Sequence, residues 1–237
     1  MKIDASGIDQ EELNSLIRKN KDSEYEIFSC LGQRFIAAGA ENAEFILHGT
    51  PGNALAAYCN GATVIVDGNA QDAVGDTMNG GKIIIHGNVG DAVGYAMRGG
   101  DVFVKGNAGY RAGIHMKEYK DKVPRLIIGG SAGSFLGEYQ AGGVIVVLGL
   151  SDNPIVGNFP CTGMHGGKML LRSDCKEVAF PKNVLAKPFV VKGSEFEGVI
   201  KEYCSLFGVD ESEVLSSKYT LVTPDGRNPY KQMYVQN

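Results

Sequence analysis

One nineteen-residue phrase recurs through the middle of this chain. Residues 63–81 read TVIVDGNAQDAVGDTMNGG and residues 82–100 read KIIIHGNVGDAVGYAMRGG. Related copies begin at Glu44, Asp101, Arg125 and Val144, and a seventh starts at Lys168. A tandem period of this size predicts a solenoid, in which each repeat buries its apolar face only against its neighbours.

Each copy opens with five residues whose second and fourth positions are apolar, as in Val64 and Val66, Ile83 and Ile85, Val102 and Val104. Strand side chains alternate faces, so these two positions point to one side, the expected interior. β-branched residues dominate, which favours strand over helix. A glycine closes each strand, at Gly49, Gly68, Gly87, Gly106, Gly130 and Gly149. A second follows seven residues later at Gly75, Gly94, Gly113 and Gly137, and eight later at Gly157. Three copies add one between, at Gly90, Gly109 and Gly133, giving GxxGxxxG. Glycines at fixed places mark corners, where φ > 0 costs them no Cβ clash. Strand, corner, short strand and return describe an all-β, single-stranded parallel β-helix of about nineteen residues per coil and six to seven coils. Asn69, Asn88 and Asn107 form one ladder of like positions, and Cys59, Met78, Met97 and Met116 form an internal one.

One ladder breaks the alternation. The third strand position should face water, yet it reads Ile46, Ile65, Ile84, Phe103, Ile127, Val146, Leu170. A stripe of that length needs cover, from the chain's own helix or from a partner. Ile84, Phe103 and Ile127 are therefore interface candidates. Short helices are expected as terminal caps: residues 8–20, then a C-terminal helix opened by a Ser194–Glu197 capping box and closed by Gly208, then a short one capped by Asp210. Beyond them the chain reads as an extended tail with Tyr230 and Tyr234 able to dock. The organisation expected is 1–43 N-terminal helix and cap, 44–175 repeats, 176–237 C-terminal helical cap and tail.

Two copies are long. The fourth gains five residues after Gly113, and the sixth gains one before Gly157 and four after it, which places both insertions at the same corner. Insertions clustered on one rim of a solenoid mark a working face. Arg111, His115, Lys117, Glu118, Tyr119, Cys161 and His165 lie on this rim and are further interface candidates, against the plainer reading of a solvated, irregular corner.

Chemistry-bearing motifs are few. GxSxG, HExxH and GxxxxGK[ST] are absent, and GxxGxxxG recurs from coil to coil, unlike a phosphate cradle. His48, Asp67 and His86 share one ladder, but outward strand positions do not converge on a metal. Asp72 and Asp91 fit turn capping better than a glycosidase pair. Cys161 near His165 resembles a nucleophile and base in composition only. No catalytic, cofactor-binding or metal-binding residue is expected. The formal net charge of -4 argues against nucleic acid. No apolar run approaches a membrane span, and the N-terminus lacks the apolar stretch of a signal peptide. Five cysteines without CxxC spacing point to reduced thiols in the cytoplasm.

The glycine pattern resembles the C-terminal GXGXG domain of the glutamate synthase large subunit. The phrases KGNAGYRAGIHMKEYKDKVP, GGSAGSFLGEYQAGGVIVVLGL and GNFPCTGMHGG resemble its stand-alone version, from about residue 25 to NPYKQMY near the end. The resemblance implies a right-handed β-helix and a non-catalytic structural subunit joining a glutamine amidotransferase to an FMN-dependent, ferredoxin-type synthase. FMN and iron–sulfur clusters would then reside in those partners, and a homo-oligomer remains open. The alternatives are a scaffold like the formylmethanofuran dehydrogenase chain that uses the same glycine repeat, a free-standing β-helix enzyme acting on carbohydrate, and a self-assembling structural protein.

Overall fold

The computed structural model describes residues 1–226, so Tyr230, Tyr234 and the rest of the expected tail beyond Gly226 lie outside the described residues. Its strands are β1 Lys2–Asp4, β2 Glu24–Leu31, β3 Glu44–Thr50, β4 Asn60–Asp67, β5 Asn79–Ile85, β6 Gly99–Val104, β7 Arg125–Ile128, β8 Ala141–Val147, β9 Gly166–Leu171, β10 Val184–Phe189 and β11 Tyr219–Pro224. Its helices are α1 Gln10–Asn20, α2 Glu197–Phe207 and α3 Glu211–Ser216.

The fold class expected from the sequence is corrected. The strands form one open, mixed sheet of eleven in the order β1-β2-β3-β4-β5-β6-β7-β8-β9-β11-β10, not a right-handed parallel β-helix. β1 to β9 pair in parallel, but β11 inserts antiparallel between β9 and β10. The far side of each repeat contributes only isolated bridges, such as Ala70 to Val89 and Ala108 to Ala132, where a second run of strands was expected.

The physical reason lies in the backbone there. Within one repeat Ala92, Gly94 and Ala96 all have positive φ (57°, 70° and 52°). Alternate left-handed residues cannot form an extended strand. Each repeat is instead tied to both neighbours. The Ala92 N–H donates to the Tyr110 carbonyl at 2.7 Å, Gly94 to Val74 at 2.8 Å, and Ala96 to Ile114 at 2.8 Å. Left-handed alanine costs roughly 1–2 kcal/mol, and these bonds in both directions hold it there.

The strand positions follow the period of two. Phe45, Val64, Ile83, Val102, Leu126, Ile145 and Met169 are in register and buried, as are Leu47, Val66, Ile85, Val104, Ile128, Val147 and Leu171. The sulfur ladder Cys59, Met78, Met97 and Met116 is internal, and it continues as Gln140 and Met164. α1 is capped by Asp9, whose carboxylate accepts from the Glu11 and Glu12 N–H groups, and it buries Leu13 in the same core. α3 is capped by Asp210 as its sequence predicts. The capping box expected at α2 is displaced. Phe196 is the cap residue, while Glu197 accepts from the Gly193 N–H and the Ser194 hydroxyl from the Phe196 N–H.

Candidate functional site

The two features that break the repeat pattern are the apolar stripe and the lengthened corners. α2 covers the stripe. Ile84, Phe103, Ile127, Val146 and Leu170 share a second apolar cluster with Phe196, Val199, Ile200, Tyr203 and Phe207. Ile84, Phe103 and Ile127 are 7%, 0% and 0% exposed, so they lie within the chain and not on a surface open to a partner. Ion pairs hold α2 at its middle and just ahead of its start. Lys82 meets Glu202, and Lys168 meets Glu195 at 2.6 Å. Ile65 is half-buried and packs against the edge of this cluster, while Ile46, one strand further, is half-buried outside it.

The lengthened corners do not coincide. Val156 bridges to Ala132, which puts Gly157 level with Gly133, and the Cys161 N–H donates to Leu136 as the Gly137 N–H does to Ala112. All five extra residues of the sixth repeat therefore fall between Gly149 and Val156, at the first corner. Those of the fourth fall after Met116, at the last corner. The alignment by glycine fails because Cys161, with φ 60°, occupies the left-handed place that Gly137 fills one repeat earlier.

The fourth-repeat insertion is a strap. Tyr119 and Lys122 exchange backbone hydrogen bonds of 3.1 and 3.0 Å, closing a tight turn with Tyr119 exposed. The Lys122 ammonium reaches back to the Asn79 carbonyl at 2.9 Å and the Asn60 side-chain oxygen at 3.3 Å. Glu118 reaches forward and accepts from the Gly143 N–H at 2.9 Å. Lys117 donates its N–H to the Met97 carbonyl at 3.0 Å. Sequence reasoning missed Lys122, and no periodic signal marks it.

Beside the strap runs a ridge that stacked left-handed residues create. His115 and Tyr139 stack with centroids 5.2 Å apart, and Tyr95 meets His115 edge-on at 6.0 Å. Phe135 and Phe159 stack at 5.3 Å. The Arg111 guanidinium lies 5.1 Å from the Phe135 centroid and 3.1 Å from Glu138. Ring spacing follows the repeat spacing of about 4.8 Å. The 24-residue separations of His115 from Tyr139 and of Phe135 from Phe159 were the available signal. Exposed aromatic and arginine side chains are the composition of protein contact surfaces.

Cys161 and His165 do not form a reactive pair. Cys161 is wholly buried, its sulfur 3.5 Å from that of Met169, and burial pushes its thiol up to about 12. His165 places Nδ1 2.9 Å from the Gly163 carbonyl oxygen. Asp72 and Asp91 bind backbone, accepting from the Asp91 and Tyr110 N–H groups at 2.9 and 2.8 Å. His48 lies 3.4 Å from both Glu26 and Asp67. Among the described residues no group of three or more His, Cys, Asp or Glu side chains has the arrangement of a metal site.

The repeated glycines serve two different purposes. Gly75, Gly94, Gly113 and Gly137 have positive φ. Gly87, Gly106 and Gly130 instead leave room for the preceding asparagine, since an added Cβ would lie 2.2–2.4 Å from the Oδ1 of Asn69, Asn88 or Asn107. Gly90 and Gly109 do the same for Asp72 and Asp91, and Gly133 for the Gly109–Tyr110 backbone.

Among the described residues no helix is long and apolar enough to cross a membrane. An uncharacterised protein of Methanocaldococcus jannaschii is 40% identical over 248 aligned positions, covering 98% of this chain and 95% of that protein. A chain of the formyltransferase/hydrolase complex of Methylorubrum extorquens, solved with methylofuran, superposes with a TM-score of 0.63 at 20% identity, covering 85% of this chain and 73% of that one. The GXGXG motif family matches residues 24–225, and the chain is a member of that family.

Proposed function

We propose that this chain is a non-catalytic structural component of an assembly of the formylmethanofuran dehydrogenase type, where it holds catalytic chains in fixed relation. The observation that carries this reading is the fold shared over 85% of the chain with a component of a formyltransferase/hydrolase complex. The local structure supports it. The residues that recur serve to turn the backbone and to stack one repeat on the next, as a rigid spacer requires.

A second reading places the chain in glutamate synthase, between a glutamine amidotransferase and an FMN-dependent, ferredoxin-type synthase. It rests on the strap and corner phrases KGNAGYRAGIHMKEYKDKVP and GNFPCTGMHGG, which resemble the stand-alone form of that domain. In either complex the redox cofactors would belong to the partner chains.

Co-expression decides between them. The tagged chain is purified from cells carrying formyltransferase and molybdenum or tungsten dehydrogenase subunits, and separately from cells carrying the amidotransferase and synthase. Stoichiometric recovery with the first set supports the main reading, and with the second the other. Recovery with neither overturns the scaffold role.

A further inference from the structure

The apolar stripe has a length that α2 does not reach. Along β2, β3 and β4 the outward sheet face is only half-buried: Ile65 packs against the edge of the α2 cluster, and Ile46 and Phe28 lie outside that cluster. The strand register sets Glu24 beside Glu44, and Glu26 beside Ile46 and then Ile65. Ile46, Ile65 and Phe28 are half-buried apolar groups on this face, and Phe28 stacks on His48 at 4.7 Å. Glu24, Glu44 and Asp67 rim it and are exposed. Its lysine, Lys2, is held by Glu26 at 2.7 Å.

The next strands along show what such a face binds. The same third position, from Ile84 to Leu170, lies under a helix that contributes valine, isoleucine, tyrosine and phenylalanine. That helix ends at Gly208, and the ring of Phe207 in its last turn meets that of His86, just after β5, edge-on with centroids 5.3 Å apart. The last turn of α2 carries no basic residue, so the negative end of its dipole adds to the carboxylates there. Two inter-strand steps span about 10 Å, the length of about two turns of a helix that crosses the strands as α2 does.

We propose that this face docks a basic amphipathic helix of a partner protein, laid end to end with α2 and covering Phe28, Ile46 and Ile65 with its apolar side. The charge selects the occupant. A second copy of this chain would set Glu24, Glu44 and Asp67 against their own counterparts, so self-association through this face is disfavoured. Lysine or arginine on the partner helix meets those carboxylates and the free end of the α2 dipole. The inference rests on the scaffold role and names the surface that performs it.

The test places p-benzoylphenylalanine at Ile65 in the full chain, co-expressed with each set of partner subunits named above, with the same photo-cross-linker at Phe159 as a control on the aromatic ridge. The expected result is a cross-link from position 65 to a basic helical segment of a partner. A Glu24→Lys/Glu44→Lys variant should bind at least ten-fold more weakly, with the loss shrinking at high salt. Both positions are exposed, and thermal melting checks that the variant folds. A complex that assembles with cross-links only from position 159, or that is indifferent to the charge reversal, overturns this surface and leaves the scaffold role standing. A cross-link to a second copy overturns the choice of occupant. Failure of both subunit sets to bind overturns the scaffold role and this inference together.

Discussion

Tyr203 on α2 donates its phenolic hydrogen to the backbone carbonyl of Lys105, 3.1 Å away and 98 residues earlier. The contact passes over Gly129, where an added Cβ would lie 1.7 Å from the phenol oxygen and 2.3 Å from the Lys105 carbonyl. Gly129 is thus a glycine because of a helix far downstream. Gly129→Ala should destabilise the chain by about 3 kcal/mol in urea denaturation. Tyr203→Phe should cost about 1 kcal/mol. The alanine should cost less when combined with Tyr203→Phe, because part of the clash is gone. Equal costs in both backgrounds would refute the contact.

Phe103 is wholly buried between the sheet and α2. Phe103→Ser removes its ring and leaves a hydroxyl in an apolar cluster, a loss of about 3–5 kcal/mol. Equilibrium unfolding measures it. Ile46→Ser, on the half-buried length of the same stripe, should cost far less in the isolated chain.

The two kinds of glycine should separate in a mutational series. Gly94→Ala adds a methyl at φ 70° against the sulfur of Met97 at 3.1 Å, a soft neighbour. It should cost about 1–2 kcal/mol. Gly109→Ala puts its Cβ 2.2 Å from the Asp91 carboxylate and 2.8 Å from the Gly90 backbone. It should cost more, by melting temperature, although its φ is ordinary. The reverse order would show that backbone conformation dominates at both sites.

This distinction marks where the sequence was readable. The strand positions of each repeat were legible because alternation is a local signal, and Val64, Val66, Ile83 and Ile85 are all buried. The rest of the repeat was less so. Ala92, Ala96, His115 and Tyr139 hold left-handed conformations that their residue types do not announce. Cys161 in a glycine's place shifted the apparent corner of the sixth repeat. The antiparallel entry of β11 beside β9 had no periodic signature, since it joins Leu221 to Leu170 across a long intervening segment.

Gln140 stands where the neighbouring repeats have methionine. Its amide nitrogen donates to the Gly142 and Gly143 carbonyls at 3.2 and 3.1 Å, while its Oε1 is buried without a hydrogen-bond partner. Gln140→Met removes that carbonyl and restores the sulfur column, so stability should rise by about 1 kcal/mol. A fall of that size in urea denaturation would show that the two donated bonds outweigh the orphaned oxygen.

Alkaline pH should unfold the chain earlier than its ion pairs alone would. Burial raises the thiol of Cys30 to about 11 and that of Cys161 to about 12, from an ordinary value of 9.0. The folded state then holds protons that the unfolded state releases. Stability from these groups is intact below about pH 9 and declines as pH rises from there toward 12. Melting temperature against pH checks this, and Cys161→Ala should flatten the decline. The native thiols should also resist aqueous thiol reagents near neutral pH, since all five cysteines are buried.

α2 acts as a ruler. Its eleven residues, at 1.5 Å each, measure out about 16 Å, and with Phe196 ahead of it the segment reaches across the four inter-strand steps, about 19 Å, from β5 to β9 whose side chains it grips. Within that stretch the repeat number is locked to the helix length. A repeat added there would need about three more helical residues to keep both Lys82 and Lys168 at their glutamates. On the side of Ile46, among the described residues, no helix sets such a gauge, so that is where a whole repeat can be gained or lost without remaking the rest.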